Sequence, residues 1–274
     1  MKKLSFTKMQ GAGNDFIVID APKEKIDLRK LAVAVCSRHT GIGADGLLIL
    51  SSSKKADYMM RIINADGSIA EMCGNGARCM AAYIVQTRKP KKKLFSMETL
   101  AGIVLGEANG EIARVRLSDP TDYQPDVPLH LSGKNIRVHY IDTGVPHTII
   151  FVDGLDQIDV DGIGPSVRYH DRFKPRGTNV DFVEQIQPGC VALRTFERGV
   201  EGETLACGTG SVAAALIGYL KANPQIHTKQ QAKMKVRTAS TEVLEVTFNL
   251  AKGKISEVWL KGSATFIAKG EYYV

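Results

Sequence analysis

The stretch Arg61-Ile62-Ile63-Asn64-Ala65-Asp66-Gly67-Ser68-Ile69-Ala70-Glu71-Met72-Cys73-Gly74-Asn75-Gly76 is answered later by Arg194-Thr195-Phe196-Glu197-Arg198-Gly199-Val200-Glu201-Gly202-Glu203-Thr204-Leu205-Ala206-Cys207-Gly208-Thr209-Gly210. The two cysteines are 134 residues apart (207 − 73), close to half of the 274-residue chain. That spacing points to an internal duplication, which says more about architecture than any single motif. Weaker echoes keep the same order. Gly11-Ala12-Gly13-Asn14-Asp15 before the apolar run 16–19 is matched by Thr143-Gly144-Val145-Pro146-His147 before 149–152. Gly43-Ala44-Asp45 is matched by Gly177-Thr178-Asn179, again at an offset of 134 (177 − 43).

Each half reads as short β-branched strands plus one helix that starts just after its cysteine. Ile103–Leu105 and Ala113–Leu117, joined through Asn109-Gly110, read as a hairpin; so do Val243–Val246 and Ile255–Leu260, joined through Gly253. The helical stretches Met80–Val85 and Val212–Ile217 are apolar almost all round. A helix without a polar face must be covered on every side, so each is expected at the centre of its own half, wrapped by sheet. The expected fold class is therefore α+β, with two halves related by a pseudo-twofold axis. Residues 1–128 form the N-terminal lobe and 129–274 the C-terminal one, the last strand, about 263–274, packing back on the first lobe.

Composition removes several functional classes. With 44% hydrophobic and 24% charged residues, the chain reads as a globular, cytoplasmic protein, with no apolar run of membrane-spanning length and no signal-peptide core. Cys36, Cys73, Cys79, Cys190 and Cys207 form no C-x-x-C pair and are expected as free thiols. The six histidines are scattered, so no metal is expected. Net charge is +7, with a cluster at Arg88-Lys89-Pro90-Lys91-Lys92-Lys93. That run lacks interleaved aromatics and reads as a solvated loop rather than a nucleic-acid surface. Gly41-Ile42-Gly43-Ala44-Asp45-Gly46 fits G-x-G-x-x-G, yet it follows a helix (28–39) and precedes a strand (47–50), the reverse of the dinucleotide-binding order.

The chemistry concentrates in the two turns Cys73-Gly74-Asn75-Gly76 and Cys207-Gly208-Thr209-Gly210. Glycines at a helix start allow close backbone approach, and their amides form an anion nest suited to a carboxylate. A thiol there has its ionised form favoured, which draws its pKa towards neutrality. Inverting a tetrahedral carbon needs one group to remove a proton and another to deliver one to the opposite face; two equivalent thiols, one ionised, meet that need without a cofactor. Taken singly, each cysteine reads as a small buried hydrophobe. A disulfide between them is a further possibility.

These residues carry a family resemblance. Through 8–16, 41–46, 64–68, 72–79, 197–199 and 206–210, the chain resembles diaminopimelate epimerases over essentially its whole length. The resemblance implies two pseudo-symmetric lobes, each a strongly curved, mostly antiparallel sheet around a central helix. It implies a homodimer without cofactor that interconverts LL- and meso-diaminopimelate for lysine and peptidoglycan synthesis. Carried over by position, Cys73 and Cys207 are the acid and base, and Gly74, Asn75, Gly208 and Thr209 hold the α-carboxylate. Asn14, Asn64, Asn179, Glu197 and Arg198 contact the substrate, Arg198 pairing with the distal carboxylate; His147 and Glu197 tune the thiols. The chain departs from common family patterns at Val145 and Gly46. A proline or hydroxyproline racemase is the alternative within the same fold, although members typically carry His where Asn75 stands. A thiol hydrolase using His147, or a non-catalytic nucleic-acid-binding protein, would leave the second cysteine turn unexplained.

Overall fold

The computed structural model describes residues 3–22, 24–131, 133–224 and 230–274. Along the first half run β1 (Lys3–Gly11), β2 (Asn14–Asp20), α1 (Leu28–Cys36), β3 (Gly46–Ser51), β4 (Tyr58–Asn64), β5 (Ile69–Ala70), α2 (Gly74–Arg88), β6 (Phe95–Thr99), β7 (Gly102–Asn109) and β8 (Ile112–Arg116). The second half continues with β9 (Thr121–Leu131), β10 (Lys134–Asp142), β11 (Pro146–Phe151), α3 (Val160–Arg168), β12 (Asn179–Gln187), β13 (Cys190–Glu197), β14 (Gly202–Thr204), α4 (Gly208–Ala222), β15 (Gln230–Arg237), β16 (Val243–Ala251), β17 (Lys254–Ser263) and β18 (Thr265–Tyr273). Two compact units result, one of residues 1–116 with 261–274, the other of residues 117–260. Residue 128 lies inside β9, whose ladder to β10 sets that strand in the second unit.

The pairing scheme repeats strand for strand. In the first unit β1 pairs antiparallel with β18 and β2, β2 parallel with β3, and β3 antiparallel with β4; β4 pairs antiparallel with β5 and parallel with β6, and the ladder continues antiparallel through β7 to β8. In the second unit β10 pairs antiparallel with β9 and β11, β11 parallel with β12, and β12 antiparallel with β13; β13 pairs antiparallel with β14 and parallel with β15, which is antiparallel to β16. Each unit is thus α+β and mostly antiparallel, its parallel pairs bridged by helical crossovers as chain connectivity requires.

Burial explains the sequence pattern. β3 is nearly continuously apolar, because α1 covers one sheet face and α2 the other. Ile17, Ile19, Leu47, Ile49 and Ile63 pack with Leu31, Ala32 and Val35 of α1, so Phe16 and Leu48, one residue out of phase, face α2. The second unit repeats this, with Val180, Phe182 and Phe196 packed on Val160 and Val167 of α3. Residues 74–84 of α2 and most of 208–218 of α4 are buried, which accounts for their lack of a polar face.

Ladder register corrects one sequence match by a residue. Gly46 stands opposite Phe16 and Asn64, whereas Asn179 stands opposite His147, with Val180 opposite Phe196. The counterpart of Asn179 is therefore Gly46, not Asp45. The predicted helix 28–39 ends at Cys36, with Ser37 already outside the helical conformation.

Candidate active site

In the first unit Cys73 is the N-cap of α2. Its backbone is extended, and Gly76 N–H donates to Sγ at 3.4 Å. Asn14, the first residue of β2, turns its Oδ1 towards this cap, 3.5 Å from Cys73 Sγ and 3.5 Å from Asn75 Nδ2. The opposite end of that amide is fixed, since Asn14 Nδ2 donates to Asp45 at 2.6 Å. Asp45 belongs to an ionic cluster the sequence reading did not single out. Arg38 bridges Asp15 and Asp45 at 2.9 and 2.7 Å, and Lys8 donates to Asp15 at 2.6 Å and to the Gly43 carbonyl. Burial works against the Asp15 carboxylate, but Arg38 and Lys8 outweigh it and hold its pKa below the ordinary value. Asn64, at the end of β4, donates to Ser68 Oγ at 2.9 Å.

The second unit repeats the cap and changes what surrounds it. Cys207 caps α4, accepting from Gly210 N–H at 3.4 Å, and its Sγ lies 3.4 Å from Thr209 Oγ1. His147 Nε2 lies 3.0 Å from the same hydroxyl, while Nδ1 lies 2.6 Å from Asp181. Thr195 donates to the other Asp181 oxygen at 2.7 Å. Asn179 is tied to another predicted residue: its amide donates to the Pro146 carbonyl at 2.9 Å and accepts from the Arg198 N–H at 2.8 Å. Glu197 accepts from Thr204 at 2.8 Å. Thus Asn14, Asn75 and Cys73 come together in one unit, and His147, Asn179, Arg198, Thr209 and Cys207 in the other.

Cys207 is buried, and burial pushes its pKa well above the ordinary thiol value; Glu197 and then Asp181 add to the rise, against weaker opposing bonds from Thr209 and Gly210. The expectation that a helix start lowers this pKa is therefore reversed at Cys207, because desolvation and two carboxylates outweigh the backbone dipole. All five cysteines are free thiols. The first-turn amides of α2 and α4 precede any intrahelical acceptor, so each cap can present N–H groups to an anion. Among the described residues, no group of three or more His, Cys, Asp or Glu could hold a metal ion. No helix there is long and apolar enough to cross a membrane.

Two like-folded α+β units, each with a cysteine-capped central helix, define a fold shared with solved structures of low sequence identity. A phenazine biosynthesis protein of the PhzF family from Bacillus anthracis superposes with TM-score 0.75 at 16% identity, covering 100% of both chains. A hydroxyproline epimerase from Agrobacterium vitis gives 0.73 at 15% identity, over 98% of this chain and 92% of the other. Sequence relatives narrow the class. The diaminopimelate epimerase of Aquifex aeolicus is 38% identical across 97% of each chain. That of Carboxydothermus hydrogenoformans is 39% identical across 99% of this chain and 100% of its own, and that of Chlorobaculum tepidum 41% across 96% and 98%. The diaminopimelate epimerase family pattern matches residues 6–119 and 139–267. The chain belongs to the diaminopimelate epimerase family, and it is an epimerase, an enzyme of the isomerase class.

Proposed function

We propose that this protein inverts one α-carbon of LL-diaminopimelate to give the meso isomer, with Cys73 and Cys207 as its two proton-transfer groups. The observation that carries this reading is that both thiols cap the same helix of a duplicated topology, each as acceptor of the third helical N–H. One thiolate removes the α-proton while the other thiol delivers a proton to the opposite face, and the roles exchange for the reverse reaction. Amides of Gly74, Asn75, Gly208 and Thr209 hold the α-carboxylate and stabilise the charge that grows as the proton leaves. Asn14, Asn64, Asn179, Glu197 and Arg198 take the amino groups and the distal carboxylate. Two lobes, a homodimer, a cytoplasmic location and independence from any cofactor complete the reading. Asn75, at the position where proline racemases typically carry His, supports the longer substrate together with the Asn and Arg set.

The test follows the α-hydrogen by proton NMR in deuterated buffer, offering LL-diaminopimelate and L-proline separately. Loss of the α-proton signal with diaminopimelate alone is expected. Exchange with proline alone would move the protein to the racemase branch.

A further inference from the structure

The duplication permits a comparison of what lies beneath the two thiols. Where α2 begins, a Cβ placed on Gly76 would meet Leu48 at 3.1 Å, Phe16 at 3.5 Å and Cys73 Cβ at 3.6 Å. Where α4 begins, a Cβ on Gly210 would meet Asp181 at 2.6 Å, His147 at 3.3 Å and Cys207 Cβ at 3.3 Å. The registers make these the same positions: Phe16 and His147 each form the first pair of the corresponding parallel ladder, Leu48 pairs with Ile62, and Asp181 pairs with Thr195. Three core positions that are apolar in one unit, Phe16, Leu48 and Ile62, are His147, Asp181 and Thr195 in the other. All three of these polar residues are at least 98% buried, with exposures of 0%, 0% and 2%. A buried ionisable pair destabilises a core that an aliphatic pair would fill well, so its retention in one unit calls for a chemical reason.

The hydrogen bonds supply one. A carboxylate only accepts, so Asp181 takes the Nδ1–H of His147, and Thr195 donates to its second oxygen. Nε2 is thereby left as an acceptor, facing the Thr209 hydroxyl at 3.0 Å, and Thr209 Oγ1 is 3.4 Å from Cys207 Sγ. We propose that Asp181 is a positioning residue of the reaction: by fixing the tautomer of His147 it gives Cys207, through Thr209, a buried proton acceptor. The step balances. Cys207 S–H passes its proton to Thr209 Oγ1 as Thr209 passes its own to His147 Nε2. A thiolate and an imidazolium result, the latter paired with the Asp181 carboxylate; the reverse transfer restores the thiol.

Other charged groups packed on α4 are placed differently. Glu197 on β13 acts on Cys207 and is held by Thr204. His139 on β10 lies under the influence of Lys221 in the last turn of α4, at the opposite end. Lys233, Lys235 and Arg237 of β15 are exposed, and Glu245 of β16 pairs with Lys233.

This inference rests on the two-thiol reading, and its test is made on the free enzyme so that the identity of the substrate does not enter. In a Cys73→Ser background, the rate of Cys207 alkylation by iodoacetamide is followed against pH by peptide mass spectrometry. Asp181→Asn, which removes the partner of the imidazolium and the hold on its tautomer, is expected to move the midpoint up by about one pH unit. Thr209→Val, which removes the hydroxyl bond, is expected to move it up, and Thr209→Ser to restore it. In the two-thiol enzyme, Asp181→Asn should lower kcat on the order of 10-fold with KM changed less than about 2-fold. Should Asp181→Asn fail to fold, the Thr209 pair alone decides. A Cys207 midpoint that is unmoved in every folded variant, or that Asp181→Asn moves down, overturns the proposal, whether or not the wild type epimerises diaminopimelate.

Discussion

Asp15 shows at the scale of one residue how the first unit holds its thiol cap in place. It accepts from Lys8 and from both terminal nitrogens of Arg38, and Asp45 beside it anchors Asn14 against Cys73. Replacing Asp15 by Asn should lower stability at pH 7 by about 1–3 kcal/mol, the worth of hydrogen bonds to charged groups. The pH dependence has a definite sign. Because the folded carboxyl pKa is depressed, its contribution is complete above the unfolded value of about 3.9 and is lost as pH falls through the folded one. Denaturant melts of Asp15→Asn and wild type should therefore converge below that range; a constant gap would contradict the assignment. Legibility at this scale was uneven. The cysteines, Asn14, Asn179 and the Glu197-Arg198 pair stood out because they lie in motifs. Asp181 left only the trace of one acid inside the buried run 179–183, and although Lys8, Asp15 and Asp45 lie in quoted motifs, their convergence on Arg38 left none, since the members come from separate segments.

The helices α2 and α4 carry the argument at the scale of elements. Both were legible, because a helix apolar on all sides has one place to go, and the cysteine and glycines before it mark its start. Strand register was not legible, since it depends on turn lengths, and the match of Gly43–Asp45 to 177–179 slipped by one residue for that reason. The two helix starts also predict an asymmetry. Gly210→Ala drives a Cβ to 2.6 Å from Asp181 Oδ1, an oxygen held by Thr195 in a carboxylate whose other oxygen is bonded to His147. Gly76→Ala meets a Leu48 methyl at 3.1 Å, a milder approach that a shift of a few tenths of an ångström relieves. Thermal melts should show Gly210→Ala losing about 1–3 kcal/mol and Gly76→Ala less than about 1 kcal/mol. Equal losses would contradict the contrast between a rigid polar floor and an apolar one.

At the scale of the whole molecule, the chain is a topology used twice and closed by its last strand. β18 pairs with β1 from Thr265–Gln10 to Tyr273–Lys3, and the segment before it is fastened by Arg78 to the Ser263 carbonyl and by Ala264 N–H to the Glu111 carbonyl. Deleting residues 265–274 exposes β1 as an unpaired edge, and Tm should fall by roughly 10 °C or more. An unchanged melt would show that β1 does not need its partner. The duplication also frames the central claim, which is that two thiols at equivalent caps divide one inversion between them. The most direct test is proton NMR of LL-diaminopimelate in deuterated buffer with the wild type, Cys73→Ala and Cys207→Ala. The wild type should show α-hydrogen exchange with conversion to the meso isomer, and both variants should lose conversion; conversion retained by either one-thiol enzyme would contradict the two-thiol assignment.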